Sequence, residues 1–174
     1  MKNIMKIFTT LEIANISAYV EKVMTDDQKK ALGLKARYYF DKNMKKINGI
    51  YKEFEDYRLE VINQLYSEFF NDERSDLFYE AVLDDNGEKV LNDDGSEKTR
   101  EMRKVKPEYL DEYNARVKDL DAKLAELLQD TNSVEVSCIN LDEFVENLPD
   151  DTPIDIDCLN ILSFMDLTTN VEGE

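Results

Sequence analysis

Two short segments rich in Asp, Asn and Gly come nearest to the spacing of a metal site. If Gly95 occupies the sixth position of an EF-hand calcium loop, three residues fall on the ligand positions three, five and twelve, namely Asn92, Asp94 and Glu101. The first position requires a carboxylate but holds Val90, and the segment around Gly87 likewise begins with valine. Because Asp, Asn and Gly favour turns for conformational reasons, we expect two tight turns without calcium.

A second candidate for chemistry is an acidic cluster near the end of the chain. It consists of Asp150, Asp151, Asp155 and Asp157. Carboxylates and backbone carbonyls suit Mg²⁺ and Ca²⁺, but no spacing in this cluster specifies a closed coordination shell. The sequence therefore favours a solvated acidic loop, and we assign no metal ligand.

Residues for nucleophilic catalysis are scarce. The chain has no His, and its five glycines are scattered singly, so it contains no phosphate-binding loop. Neither Cys138 nor Cys158 has the electropositive surroundings that activate a thiol, and both are expected to be reduced, buried side chains. Because the chain has 39 acidic residues, a pair of carboxylates in the sequence does not by itself indicate a hydrolase site. We expect a protein that is not an enzyme and has no cofactor.

Charge is distributed very unevenly along the chain. The first 52 residues carry 11 basic and 5 acidic side chains, whereas the last 51 carry 13 acidic residues and no Lys or Arg. The formal net charge is −17. Binding to phosphates depends on Lys and Arg, so this balance argues against nucleic acid or an anionic membrane as a direct partner and favours a basic protein surface. No apolar run approaches the roughly 18 residues of a membrane helix, which favours the cytoplasm.

The elements that must position these residues begin with a strand. Residues 3–9 alternate loosely and predict a strand, and Thr9 with Glu12 has the spacing of a capping box for a helix that begins at Thr10. Thr25 and Gln28 repeat that spacing at the start of a long helix over about 26–70, where Gly33 or Gly49 is expected to kink or break it.

Two apolar seams with heptad-like spacing predict helix–helix packing. The first runs through Phe40, Met44, Ile47, Tyr51, Phe54, Val61 and Leu65. The second lies in a helix over about 107–129, which Pro107 opens, and runs through Leu110, Tyr113, Val117, Leu120, Leu124 and Leu127. We expect these seams to face each other in a long antiparallel helical hairpin, with Val117 and Leu124 buried. An intermolecular coiled coil is the alternative.

The remaining segments complete an α+β fold in one domain over residues 1–174. A β-hairpin insertion is expected over about 77–106, projecting from the end of the hairpin, and an acidic C-terminal section over 130–174 forms a small α/β part. In this section, residues 134–139 predict a strand that pairs with the strand over residues 3–9. Residues 141–147 predict a short helix, and Asp157 is expected to cap a last helix.

The basic section of the long helix also carries aromatic residues. The basic and aromatic side chains that alternate in this section are Lys35, Arg37, Tyr38, Tyr39, Lys42, Lys45 and Lys46. The net charge favours a solvated face over a nucleic-acid contact. Such a patch has the complementary charge to dock on an acidic section of the same chain or of a second copy.

The order of these parts resembles small uncharacterised acidic proteins that tailed phages and prophages of low-GC bacteria encode. The resemblance is architectural and covers most of the chain. It is carried by residues 5–8, by the stretches 35–50 and 53–66, by the Asp-Asn-Gly turn at 84–90 and by the Val-Glu-Val strand at 134–136. It implies a phage origin and carries over no catalytic residue. In that setting very acidic small proteins are often inhibitors that mimic nucleic acid, such as anti-CRISPR and anti-restriction proteins.

Two functions follow as hypotheses. In the first, the protein is an inhibitor in the host cytoplasm whose carboxylates block the basic nucleic-acid groove of a host defence protein. The predicted partner-binding residues are Asp142, Glu143, Glu146, Asp150, Asp151, Asp155 and Asp157. In the alternative, it is a virion or assembly component that makes charge-complementary contacts with other proteins or with copies of itself.

Overall fold

The computed structural model describes residues 2–148 and 154–167. Its fold is α+β, as the sequence predicts. The elements in chain order are β1 Lys2–Thr9, α1 Thr10–Val23, α2 Asp26–Ala31, α3 Gly33–Phe69, β2 Ser75–Ala81, β3 Thr99–Val105, α4 Leu110–Leu127, β4 Thr131–Cys138, α5 Leu141–Glu146 and α6 Ile156–Leu162. Short 3₁₀ turns at Pro107–Tyr109 and Ser163–Met165 precede α4 and follow α6.

The chain divides into two compact units. The first unit consists of Met1–Tyr57 with Ala125–Glu174, and the second unit is Arg58–Leu124. Helix α3 contributes its first part to the first unit and its last part to the second. That residues 1–174 fold as one domain remains a prediction.

In the first unit, β1 and β4 form an antiparallel two-stranded sheet. The register runs from Lys2 opposite Cys138 to Thr9 opposite Thr131, which confirms the predicted pairing of the first strand with the strand near the C-terminus. The alternation of side chains across the sheet buries Phe8 on one face. The side chains on that face form one side of the core of the first unit.

Apolar side chains from the sheet and from four helices form this core. Those that are almost fully buried include Ile13, Phe40, Ile47, Val136, Cys138, Cys158, Leu162 and Met165. Burying a side chain of this size contributes about 1.5–3 kcal/mol. The two cysteines are free and buried, as expected. The first part of the α3 seam, with Phe40 and Ile47, therefore packs in the core of the first unit.

Local signals in the sequence place the helix ends. Capping boxes at Thr9 and at Thr25 begin α1 and α2, which confirms both predictions. The long helix breaks at Gly33, whose φ of 71° is a conformation that favours glycine, and it continues unbroken through Gly49.

The second unit contains the β-hairpin insertion and the helices that flank it. β2 and β3 pair antiparallel from Ser75 opposite Val105 to Ala81 opposite Thr99. Beyond the strands, the chain makes two tight turns at Gly87 and Gly95, each with φ of 81°. These are the two turns that the Asp, Asn and Gly segments predict.

A helical hairpin is present within the second unit, where the end of α3 meets α4. The rings of Phe69 and Tyr113 pack edge to face with centroids 5.3 Å apart, and Arg116 lies 3.4 Å from the carboxylate of Glu68. The predicted burial of Val117 and Leu124 is wrong, because both are only half-buried and α4 has no buried residue. Heptad-like spacing identifies the apolar face of a helix, but it does not determine how completely a neighbour covers that face.

The prediction that Asp157 caps the last helix is also wrong. Asp155 is the N-cap of α6, because its carboxylate accepts a hydrogen bond from the backbone N–H of Cys158 at 2.9 Å. Asp157 lies in the first turn of the helix instead. Both residues have the spacing to an apolar helical segment that a cap requires, so the pattern alone did not distinguish them.

Candidate interaction surfaces

Three of the predicted partner-binding carboxylates lie together on α5. Asn140 begins this helix by accepting a hydrogen bond from the backbone N–H of Glu143 at 3.1 Å. Asp142, Glu143 and Glu146 follow with exposed side chains. The first two lie in the opening turn, where the helix dipole favours negative charge. We call Asp142, Glu143 and Glu146 the α5 acidic face.

Asp155 and Asp157 belong to the same unit but make contacts within it. The carboxylate of Asp155 caps α6 and also accepts a bond from the Gln28 side chain at 3.3 Å. The backbone N–H of Cys158 is the main reason why the pKa of Asp155 is lowered. Asp157 accepts a hydrogen bond from the Tyr19 hydroxyl at 3.4 Å, and its charge raises the pKa of that phenol. Asp150 and Asp151 lie outside the described residues.

None of the five described carboxylates of the predicted set has a cationic partner. Within residues 2–148 and 154–167, no Lys or Arg lies within ion-pair distance of Asp142, Glu143, Glu146, Asp155 or Asp157. Their mutual repulsion is therefore relieved mainly by solvent, by hydrogen bonds and by helix dipoles.

The α5 acidic face borders an apolar groove in the first unit. The groove has a volume of about 780 Å³. Apolar side chains that line it include Leu32, Ile139, Phe144, Leu148 and Leu167. Glu143 and Lys35 also line it, and Leu34 beside them is 90% exposed. An apolar lining with a charged rim is the usual composition of a protein-binding site.

The basic section of α3 makes one ion pair with the acidic C-terminal section in the described part of the chain. The Lys46 ammonium lies 3.0 Å from the Glu135 carboxylate on β4, and this contact is the main reason why the pKa of Glu135 is lowered. Arg37 instead pairs with Asp41 on its own helix at 3.8 Å. The predicted docking of the basic helix on the acidic section is thus limited to Lys46 among these residues.

A smaller cavity beside β1 contains a buried lysine that the sequence did not single out. The cavity has a volume of about 410 Å³, and its lining includes Lys6, Phe8, Tyr19 and Phe164. Lys6 is only 2% exposed and donates to the backbone carbonyl of Asp166 at 2.6 Å. Burial lowers the pKa of its ammonium. Its position between Ile4 and Phe8, on the inward register of an alternating strand, is the signal that would have found it.

The insertion in the second unit exposes apolar and aromatic side chains. Those with large exposed fractions are Leu77, Phe78, Tyr79, Leu83 and Leu91. We call them the insertion apolar set. Singly exposed hydrophobic residues are normal, but several of them within one short insertion are typical of an interaction surface.

The turns of the insertion use their carboxylates for the backbone. The Asp94 carboxylate accepts bonds from the hydroxyl of Ser96 at 2.6 Å and from its N–H at 2.9 Å, and these bonds lower the pKa of Asp94. Asp84 accepts in the same way from the N–H groups of Asn86 and Glu88. No group of three potential metal ligands occurs among the described residues. That the turns do not bind calcium tightly stays a prediction.

Comparisons with protein-family models, with curated proteins and with solved structures found no match. In the described ranges, no helix is both long enough and apolar enough to cross a membrane.

Proposed function

We propose that this chain is a non-enzymatic interaction protein that binds a basic surface of another protein through the α5 acidic face and the adjoining groove. The observation that carries the proposal is the combination of exposed carboxylates, which have no cationic partner among the described residues, and an apolar groove of about 780 Å³ beside them. The carboxylates provide charge and the groove provides apolar area for binding.

The carboxylates supply attraction and selectivity. Exposed charges of one sign accelerate encounter with an oppositely charged partner and disfavour partners of like charge. The groove supplies the apolar area that such charges cannot, because Leu32, Phe144 and Leu167 line it and Leu34 is exposed at its side. The partner segment that fits is one with Lys or Arg beside apolar side chains.

A host nucleic-acid-binding protein has a basic surface of the kind that this partner requires, because it neutralises phosphates with Lys and Arg. Together with the phage-like architecture, this chemistry favours an inhibitor that occupies a nucleic-acid groove in the host cytoplasm, as anti-CRISPR proteins do. Asp155 and Asp157 contribute less to this surface than α5 does, because their carboxylates are engaged with Cys158, Gln28 and Tyr19.

The test compares two variants that lose the same number of charges. The first replaces the α5 acidic face, by Asp142→Asn, Glu143→Gln and Glu146→Gln. The control replaces three exposed acids elsewhere in the first unit, by Glu21→Gln, Glu53→Gln and Asp56→Asn. Proteins captured from a host lysate by the wild type are identified by mass spectrometry, and the association rate of each purified candidate is then measured at low and at high salt.

We expect the α5 variant to lower the association rate several-fold at low salt, with a smaller difference at high salt, since salt screens exposed charges. The control should behave as the wild type does. A Leu34→Ser variant should raise the dissociation rate if the groove is part of the surface. Equal binding by all the variants at both salt concentrations would exclude this face.

The second candidate function is that of a virion or assembly component. The observation that favours it is the insertion apolar set, which the second unit exposes on β2 and on the turn region between β2 and β3. A two-stranded element with exposed aromatic residues gains stability when another protein covers it.

Changing Phe78 and Tyr79 to Ser distinguishes the two functions. An assembly component should lose incorporation into higher oligomers or particles, as measured by light scattering after size-exclusion chromatography. An inhibitor that acts through α5 should keep its partner and its association rate after the same change. Binding lost in the Phe78 and Tyr79 variant but kept in the α5 variant would favour assembly.

A further inference from the structure

The backbone of β1 presents hydrogen-bonding groups on the side away from β4. On β4, both the N–H and the C=O of Ser137 bond to the side chain of Asn43, so they point away from β1. In an antiparallel ladder, the residue opposite such a position also directs its N–H and C=O outward. Asn3 lies opposite Ser137, and the alternation extends this outward direction to Met5 and Ile7. The same alternation directs the backbone groups of even-numbered residues toward the neighbouring strand. The hydrogen bond from the Thr10 N–H to the Asp130 carbonyl, just before β4, has this direction.

The outer edge of β4 is covered toward its C-terminal end. Asn43 bonds Ser137, the Lys46 ammonium donates to the carbonyl of Glu135 at 2.5 Å, and Ile139 exchanges backbone bonds with Met165 and Leu167. A polar face of α3 and the segment after α6 thus bond the edge at these three residues.

The outer edge of β1 is open in the described part of the chain. The outward N–H and C=O groups of Asn3, Met5 and Ile7 have no hydrogen-bond partner among residues 2–148 and 154–167. The side chains of Met5 and Ile7 are 59% and 62% exposed. An exposed edge strand with apolar side chains is a template for a further strand.

We propose that β1 pairs antiparallel with β1 of a second copy, about a two-fold axis at Met5. The hydrogen-bonded pairs are then Met5 with the second copy's Met5, and Asn3 with the second copy's Ile7 on either side of the axis. Every outward group at these three positions is satisfied, and the two sheets become one of four strands. The apolar side chains of Met5 from the two copies lie together on the exposed face.

The positions of the lysines select this register. A shift of two residues toward the N-terminus places Lys2 opposite Lys6 of the second copy, and the opposite shift places Lys6 opposite Lys6. Like charges directly opposite one another destabilise a sheet. In the register centred on Met5, Lys6 lies opposite Ile4 and Lys2 opposite Phe8 of the second copy.

Charges at the two ends of the strand are complementary in this register. The Glu12 carboxylate accepts a bond from the Thr9 N–H at 2.7 Å, which places it on the open side of the strand end. Lys2 of the second copy, opposite Phe8, arrives within reach of that carboxylate, and the symmetry repeats the pair. Because this contact uses the same strand of both copies about a two-fold axis, the association closes at two copies.

The test uses a single engineered thiol. Cα atoms of a hydrogen-bonded antiparallel pair lie about 5.5 Å apart, which a disulfide spans. The native Cys138 and Cys158 are fully buried. Met5→Cys should therefore form a covalent dimer on mild oxidation. Asn3→Cys on the same strand and Leu34→Cys on α3 should not, because in the proposed dimer the two engineered thiols of each variant lie far apart.

The double variant Asn3→Cys with Ile7→Cys restores the crosslink if the register is centred on Met5. Oxidation of Met5→Cys at the same rate as Leu34→Cys would overturn the proposal. Met5→Pro removes only an outward N–H, so it should keep the β1–β4 ladder and leave the protein monomeric in sedimentation equilibrium. A wild type that is monomeric at its highest soluble concentration would also overturn the proposal. These measurements use the purified protein alone, so their outcome is independent of the α5 surface.

Discussion

The side-chain amide of Asn43 pairs with the backbone of Ser137 as a neighbouring strand would. Its Nδ2 donates to the Ser137 carbonyl at 3.1 Å, and its Oδ1 accepts from the Ser137 N–H at 2.9 Å. Asn43 is 0% exposed and Ser137 is 1% exposed. A single buried side chain on α3 therefore satisfies both backbone groups of Ser137 at the edge of β4 and links the helix to the sheet within the first unit.

Removing this amide should be costly. Asn43→Ala leaves a buried N–H and a buried C=O without partners, and we expect a loss of about 2–4 kcal/mol in the free energy of unfolding. Asn48→Ala is the control, because Asn48 is exposed and its carbonyl oxygen accepts one bond from Ser17. Urea unfolding of both variants measures the difference. Equal losses would mean that the Ser137 backbone finds other partners.

Core and seam positions should differ in their sensitivity to truncation. Ile47 is 0% exposed, and Ile47→Ala should cost about 2–5 kcal/mol. Leu124 is half-buried, so Leu124→Ala should cost clearly less than Ile47→Ala, because fewer contacts are lost and the site is open to solvent. Thermal and urea unfolding test the order. A larger loss at Leu124 would indicate a helical hairpin that is packed as the seams predict.

The cap of α6 should make stability depend on pH. The folded pKa of Asp155 lies below its ordinary value, chiefly because the Cys158 N–H bonds its ionised form. The ionised carboxylate therefore stabilises the fold above a pH of about 4, and this contribution disappears as the pH falls through the folded pKa. Asn caps helices about as well as Asp, so Asp155→Asn removes mainly the charge.

The free energy of unfolding of Asp155→Asn should be lower than that of the wild type near neutral pH and should converge with it in acid. Asp56→Asn, an exposed position within α3, is the matched control. A difference that stays constant across the acid range would show that the charge of Asp155 does not contribute.

Both native thiols should be inert in the folded protein. Burial raises the pKa of Cys158 to about 11 and also raises the pKa of Cys138. Because the thiolate is the reactive form, neither thiol should react with a disulfide reagent at mildly alkaline pH until the protein unfolds. Spectrophotometric titration counts the reactive thiols before and after adding denaturant. One thiol that reacts quickly without denaturant would contradict the burial of the core.

The turns of the insertion should not bind calcium tightly. Asp94 and Asp84 already accept hydrogen bonds from their own turns, which compete with a cation for the same oxygens. Calorimetry with Ca²⁺ should detect no micromolar site in the wild type. A micromolar site that disappears in Asp94→Ala would restore the metal hypothesis.

Signals that act over a few residues predicted much of the local structure, although the cap of α6 is Asp155 and not the predicted Asp157. The capping boxes at Thr9 and Thr25 and the turns at Gly87 and Gly95 depend on bonds and torsion angles within a short segment, and the structure has each of them. Alternation also identified β1 and β4, and their pairing was correct. The α5 acidic face followed from composition, since charged residues near a helix start are exposed by default.

Choices between distant partners were decided only by the tertiary structure. Apolar spacing marked Phe40 and Ile47 as one side of a helix, but the core of the first unit, rather than α4, buries them. The groove beside α5, the buried ammonium of Lys6 and the pairing of Asn43 with Ser137 join residues far apart in the chain. Composition and periodicity record what a side chain prefers, whereas burial depends on which elements meet, and many arrangements satisfy the same preferences.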